Sequence, residues 1–185
     1  MKIYKIFFII LLLGCAGRQA WRKDYNFSQI RTIAITKFES SEGAEATGAA
    51  VRDIFTKALI ETGISVVDSK VFDKLLSQAN PQTPKMFAEI GALAGADAIL
   101  DGAIYRYLPE KEERIYYVSA DGKIGYETSY YNAKVAITAR LIDVKTGDVV
   151  WANSDYYESF DIQTALEGAV YTVIRPLKKL LNFPL

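Results

Sequence analysis

Apolar residues recur along this chain in two periods, and the alternation between them outlines the fold. Ile30–Phe38 places Ile33, Ile35 and Phe38 among small and β-branched neighbours, which predicts a strand. Val51, Ile54, Phe55, Ala58 and Leu59 fall at the i, i+3, i+4, i+7, i+8 spacing of one amphipathic helix, closed by Gly63. Ile64–Val67 predicts a short second strand. Asp68 and Ser69 then cap a helix with Val71, Phe72, Leu75 and Leu76 inward. Thr83-Pro84 opens a third helix carrying Phe87, Ile90, Leu93 and Ala94, and Gly95 suits its left-handed end. From Ala98 the pattern becomes strand-like: Ala98–Tyr107, a hairpin tip at Asp121-Gly122, a long region from Lys123 to Val144, then Val149–Tyr157 after the turn Lys145-Thr146-Gly147-Asp148. Gln163–Leu181 predicts a closing helix with Leu166, Val170, Val173, Ile174 and Leu177 inward, bent near Pro176. The order β-α-β-α-α-β-β-β-α predicts a single layered α/β domain. Its mixed sheet is flanked by helices, and a β-hairpin arm extends over about 108–133.

The N-terminus predicts an address. Lys2 and Lys5 precede an unbroken apolar run, Ile6–Leu13. Eight residues of helix span about 12 Å, far short of the ~30 Å hydrocarbon core, so the run fits a cleaved signal better than a membrane span. It ends in Leu12-Leu13-Gly14-Cys15, which resembles the bacterial lipobox. That resemblance implies diacylglyceryl attachment to the Cys15 thiol, cleavage before it and acylation (palmitate) of the new N-terminus. The alternative is an ordinary secretory signal with a free cysteine in its apolar region. The expected divisions are a signal peptide at 1–14, a lipidated N-terminus and short tether that packs down at 15–29, and one domain at 30–185. Ala16 and Gly17 follow the cysteine with no aspartate, which favours the outer membrane, periplasmic face.

Composition then narrows the chemistry. The 185 residues include 22 basic and 22 acidic side chains, no histidine and one cysteine. Missing histidine removes the commonest general base and metal ligand, and a lone cysteine forms neither an internal disulfide nor a thiolate zinc cluster. Zero net charge offers no general attraction to nucleic acid. Gly43 and Gly48 superficially suggest a phosphate-binding loop, but Ala49 and Ala50 stand where such a loop needs lysine and a hydroxyl. No serine sits in a G-x-S-x-G turn. Glu110, Glu112 and Glu113 could mimic a catalytic pair, yet they lie in a mixed-sign run typical of a solvated hairpin edge. Asp101, inside a predicted strand, reads either as a hydrogen-bonded buried carboxylate or as part of an exposed strand face. No enzyme activity, cofactor or metal site is expected.

Nine of the twelve tyrosines lie between residues 105 and 157. Tyrosine favours strands, which explains part of this clustering, and it favours interfaces, which makes Tyr116, Tyr117, Tyr126, Tyr130 and Tyr131 the candidate partner or oligomer surface.

G-A-D-A-I-L-D-G-A-I (Gly95–Ile104) and V-A-I-T-A-R-L-I-D-V-K-T-G-D-V-V-W (Val135–Trp151) resemble the CsgG-like superfamily. Val66–Leu76 fits the same plan. That superfamily includes the curli secretion channel, LpoB-type activators of peptidoglycan synthases and the similar N-terminal domain of TolB. The resemblance implies a non-catalytic envelope protein working through protein contacts, either with itself or with an envelope partner. Three roles follow: scaffold or accessory subunit of an envelope assembly, activator of a cell-wall synthase, or subunit of a secretion ring. The chain departs from the curli channel in having room for one membrane hairpin and not two. It departs from the LpoB type in lacking a long linker.

Overall fold

The computed structural model describes residues 19–41, 44, 46–79 and 83–182. Nine strands and four α-helices follow one another: β1 (Ala20–Trp21), β2 (Thr32–Ile35), β3 (Glu39–Ser40), α1 (Thr47–Ile60), β4 (Ser65–Val66), α2 (Ser69–Ala79), α3 (Pro84–Leu93), β5 (Ala98–Leu108), β6 (Lys111–Val118), β7 (Ile124–Tyr131), β8 (Ala133–Asp143), β9 (Val149–Ser159) and α4 (Ile162–Leu181). The main sheet runs β1-β9-β8-β5-β2-β4, with β3 adding to the far half of β5. Pairings of β5 with β2 and β3 are parallel, whereas β5, β8, β9 and β1 are joined antiparallel. Among the described residues the sheet stays open and does not close into a barrel.

Two layers of helix cover it unequally. On one face α1 and α4 bury Phe55, Leu59, Val170, Val173 and Leu177 against Ile33, Leu100, Ile137 and Trp151. On the other, α2 and α3 press Phe72 and Ile90 onto Ala34, Ile99 and Ile142, covering only one corner. The caps follow the sequence: the Asp68 carboxylate accepts from Lys70 and Val71 N–H, Thr83 Oγ1 from Met86 N–H, and Asp161 from Thr164 N–H.

Some expectations change. Val71 and Leu93 were expected inward and are 53% and 77% exposed. Val71 lies one residue, about 100°, off the stripe that Phe72 defines. In α3 the sheet is met by Gly91, where an added Cβ would come within 2.9 Å of Ile99 Cδ1, and Leu93 is rotated about 200° from it. The helix α4 runs Ile162–Leu181 with Pro176 inside it, one residue longer at its start than the expected Gln163–Leu181. The long strand region divides into β7 and β8 at Asn132, and neither β1 nor β3 was foreseen.

Candidate interaction surface

The arm is the feature that the core does not explain. Beyond Leu108 the β5–β8 ladder is interrupted at Pro109 and Glu110, then resumes as a separate two-stranded sheet of β6 and β7. Register pairs Lys111 with Tyr131, Glu112 with Tyr130, Tyr116 with Tyr126, Tyr117 with Gly125 and Val118 with Ile124. The tip is fixed by Gly122 at φ 80°, by Ser119 N–H bonding to Lys123 carbonyl at 2.8 Å, and by a Ser119 hydroxyl–Asp121 bond of 2.5 Å. Eight residues of antiparallel strand carry the arm about 27 Å from the domain. Neither strand packs substantially on any other described element.

Because side chains alternate, the five candidate tyrosines divide between two faces. Tyr116, Tyr126 and Tyr130 share one with Val118 and Ile124, all at least 60% exposed. The Tyr116 and Tyr126 rings lie 6.0 Å apart, and the Arg114 guanidinium sits 5.6 Å over the Tyr126 ring. On the reverse face Tyr117 lies across Gly125, where an added Cβ would come within 2.8 Å of its ring, and Tyr131 neighbours Lys111, Glu113 and Ser129. The first face is therefore apolar and aromatic over its outer half, Tyr116, Val118, Ile124 and Tyr126, with Tyr130 nearer the base beside Glu112, Arg114 and Thr128; the second carries Lys111, Glu113 and Glu127. A soluble chain rarely leaves such a strip uncovered.

The other candidates find structural explanations. Arg140 and Asp101 are register partners, joined by bonds of 2.8 Å and 2.6 Å, and Thr36 Oγ1 donates to the same carboxylate at 2.8 Å. Glu112 and Glu113 point to opposite faces of β6, each beside a cation, at 3.2 Å from Arg114 and 3.6 Å from Lys111. They cannot act as a pair. Gly43 lies outside the described residues, as does Cys15 with the whole expected signal; Gly48 is in α1, and an added Cβ would meet the Phe38 carbonyl oxygen at 2.1 Å. Its role is close packing. Among the described residues no cluster of acids has metal-holding geometry, and no helix is long and apolar enough to cross a membrane.

One site escaped the sequence reading. The turn after β8 acts as a clamp for the N-terminal segment. Gly147 takes φ 76°, the buried Asp143 carboxylate accepts a short bond from Tyr25 Oη and one of 2.8 Å from Thr146 N–H, and Asp148 accepts from Arg22 at 2.9 Å. Burial pushes the Asp143 carboxyl up, but Tyr25 and the turn amides outweigh it and hold the group below the usual carboxylate range. Burial first, then the Asp143 bond, raise the Tyr25 hydroxyl well above its ordinary value, so it stays a donor. The D-V-K-T-G-D stretch thus fastens residues 22–25 to the domain.

The fold is an open mixed sheet with helices on both faces and one projecting hairpin. The model of the family described as curli production assembly/transport component CsgG matches residues 25–157, and the chain belongs to that family. No curated protein matches it. Among solved structures, the PelC dodecamer from Paraburkholderia phytofirmans is 17% identical, covers 88% of this chain and 99% of its own, and superposes with a TM-score of 0.55. The hypothetical protein CT253 from Chlamydia trachomatis is 8% identical, with 81% and 96% covered and a TM-score of 0.52. E. coli LpoB superposes more loosely, at 11% identity, 70% and 59% coverage and a TM-score of 0.48. At such identities the likeness is one of fold.

Proposed function

We propose that this chain is a non-catalytic outer-membrane lipoprotein, anchored through Cys15 and facing the periplasm. It serves as a scaffold or accessory subunit of an envelope assembly and joins copies of itself through the arm. The observation that carries this reading is the exposed row Tyr116, Val118, Ile124, Tyr126 and Tyr130, which no other described element covers. Membership of the CsgG family supports an envelope role, and the dodecameric state of PelC supports a multi-subunit one. A scaffold needs surfaces, and the candidate acids Asp101, Glu112 and Glu113 are each engaged in an ion pair. Tyr131 and Tyr117 form the reverse side of the same arm and complete the candidate interface where a second neighbour reaches it.

The test is sedimentation velocity of the detergent-solubilised protein. Tyr126→Ser with Tyr130→Ser should shift it from a large assembly toward monomer, with the melting temperature nearly unchanged, and Tyr131→Ser should shift it less. A wild type that is monomeric, or a double variant that assembles normally but melts far lower, overturns the reading.

A further inference from the structure

Away from the arm, the end of α4 meets β1 in a cleft lined by Trp21, Arg175, Pro176, Lys179 and Leu180, with Gln19 at its edge. Lys23 flanks it beside Leu180, and Lys178 lies on the neighbouring turn. Acidic groups near it are largely committed. Arg22 takes Asp24 and Asp148, and Lys178 reaches Glu61 at 3.4 Å. Asp155, which also lines the cleft, accepts only from Tyr156 N–H at 2.8 Å among the described residues, and stands as one anion against the three cations Lys23, Arg175 and Lys179. Lys23, Arg175 and Lys179 join no ion pair among the described residues. Cations in the last turns of α4 also complement its dipole, but that accounts neither for Lys23 nor for Trp21, which keeps 42% of its surface exposed.

We infer that this cationic, tryptophan-bearing end docks on the anionic phospholipid surface of the leaflet that holds the anchor. The inference rests on the lipidation reading of Cys15. Three residues lie between Cys15 and Gln19, and the four steps span at most about 14 Å, so the anchor holds the domain against the leaflet. That reach alone would serve either end of the domain, and charge decides between them. At the arm-bearing end Glu110, Glu112, Glu113, Asp121, Glu127 and Glu158 outnumber Arg106, Lys111, Arg114, Lys123 and Lys134 by one, whereas at the α4 end Lys23, Arg175 and Lys179 join no ion pair among the described residues. Cations near an anionic leaflet attract it, and tryptophan partitions to the headgroup level. A second, electrostatic contact beside the acyl chains fixes the orientation, α4 end down, and directs the arm into the periplasm.

The chain contains one cysteine, so the unlipidated mature protein (residues 15–185) can be coupled through Cys15 to a maleimide-headgroup lipid in vesicles. Coupling replaces natural acylation, which keeps this test independent of whether Cys15 is lipidated in the cell; acyl labelling decides that separately. Of the two tryptophans Trp151 is buried, so brominated-lipid quenching reports Trp21, and Trp21→Phe checks the assignment. On phosphatidylcholine:phosphatidylglycerol (1:1) vesicles in low salt, Trp21 should be quenched and blue-shifted. On phosphatidylcholine alone, or in 0.5 M salt, the effect should vanish. Each of Lys23→Ala, Arg175→Ala and Lys179→Ala should weaken docking about fivefold, and all three together about a hundredfold. Inorganic phosphate without vesicles should leave Trp21 emission unchanged. A phosphate-induced shift would reassign the cleft to a soluble anion, and quenching equal on neutral and anionic vesicles, or absent on both, overturns the proposal. Lys23→Glu, a change at an exposed side chain, supplies the same readout should the triple variant fold poorly.

Discussion

Tyr25→Phe removes one oxygen from the clamp that holds the N-terminal segment, and its cost should depend on pH. The ring itself keeps its place, edge-on to Phe27 at 4.9 Å between centroids, so packing changes little. What is lost is a hydrogen bond to the Asp143 carboxylate, which is 2% exposed and retains the turn amides as its remaining partners. Hydrogen bonds to charged groups contribute about 1.5–3 kcal/mol, and leaving a buried carboxylate short of a donor belongs in that range, so about 2 kcal/mol is expected at neutral pH. Asp143 is held below its ordinary value in the folded chain; a depressed carboxyl stabilises the fold above its unfolded pKa, and that stabilisation is lost as pH falls through the folded one. The gap between wild type and Tyr25→Phe should therefore be widest from pH 6 to 8, where titration leaves it level, and narrow on acidification below about 4, the unfolded carboxylate value. Urea unfolding of the mature protein at a series of pH values measures it directly. A gap under 0.5 kcal/mol at pH 7, or one that grows on acidification, refutes the clamp.

Other perturbations probe separate parts of the account. Cys15→Ser should abolish acyl labelling and accumulate uncleaved precursor, as measured by metabolic labelling and mass spectrometry; normal processing would remove the lipobox reading. Gly102→Ala should destabilise the fold by about 1–3 kcal/mol or more by thermal denaturation, because its Cβ would lie 2.2 Å from the Thr138 carbonyl oxygen and 2.5 Å from the Phe38 ring. Reconstituted alone in a planar bilayer, the protein should give no stable unitary currents. Its arm strands of eight residues, tilted about 45°, cover only about 19 Å of a ~25 Å apolar band, and β6 opens with the charged run Lys111-Glu112-Glu113-Arg114.

How much of this was readable from the residues differs by element. The helix α4 announced itself through its long inward stripe, although its cap, Asp161, was not read from the sequence. The arm was readable as well, because Asp121-Gly122 marks a tip and alternation on either side is regular. Short helices were harder: in α3 the contact is made by Gly91, a residue with no hydrophobic signal, so periodicity credited Leu93 with a burial it lacks. Two-residue strands such as β1 and β3 are decided by the edge they meet and not by their own composition. The candidate tyrosines were visible as a cluster, but their division between faces depends on cross-strand register, which requires both strands at once. The Asp143 clamp was hidden for a related reason. Its partner Tyr25 lies 118 residues away, and nothing local to the turn identifies it.

The central claim is that the arm, and not the core, joins copies of this protein. Replacing residues 109–132 with Asn-Gly joins β5 to β8 through the three-residue loop Asn-Gly-Ala133, which keeps the Leu108–Lys134 register and every residue of both hydrophobic clusters. Light scattering coupled to size exclusion, on the lipidated protein in detergent, then reads the assembly mass. The wild type should be multimeric and the arm-less variant monomeric, with a melting temperature within a few degrees of the wild type's. An arm-less variant that keeps the wild-type assembly mass would contradict the claim and place the contact on the domain itself.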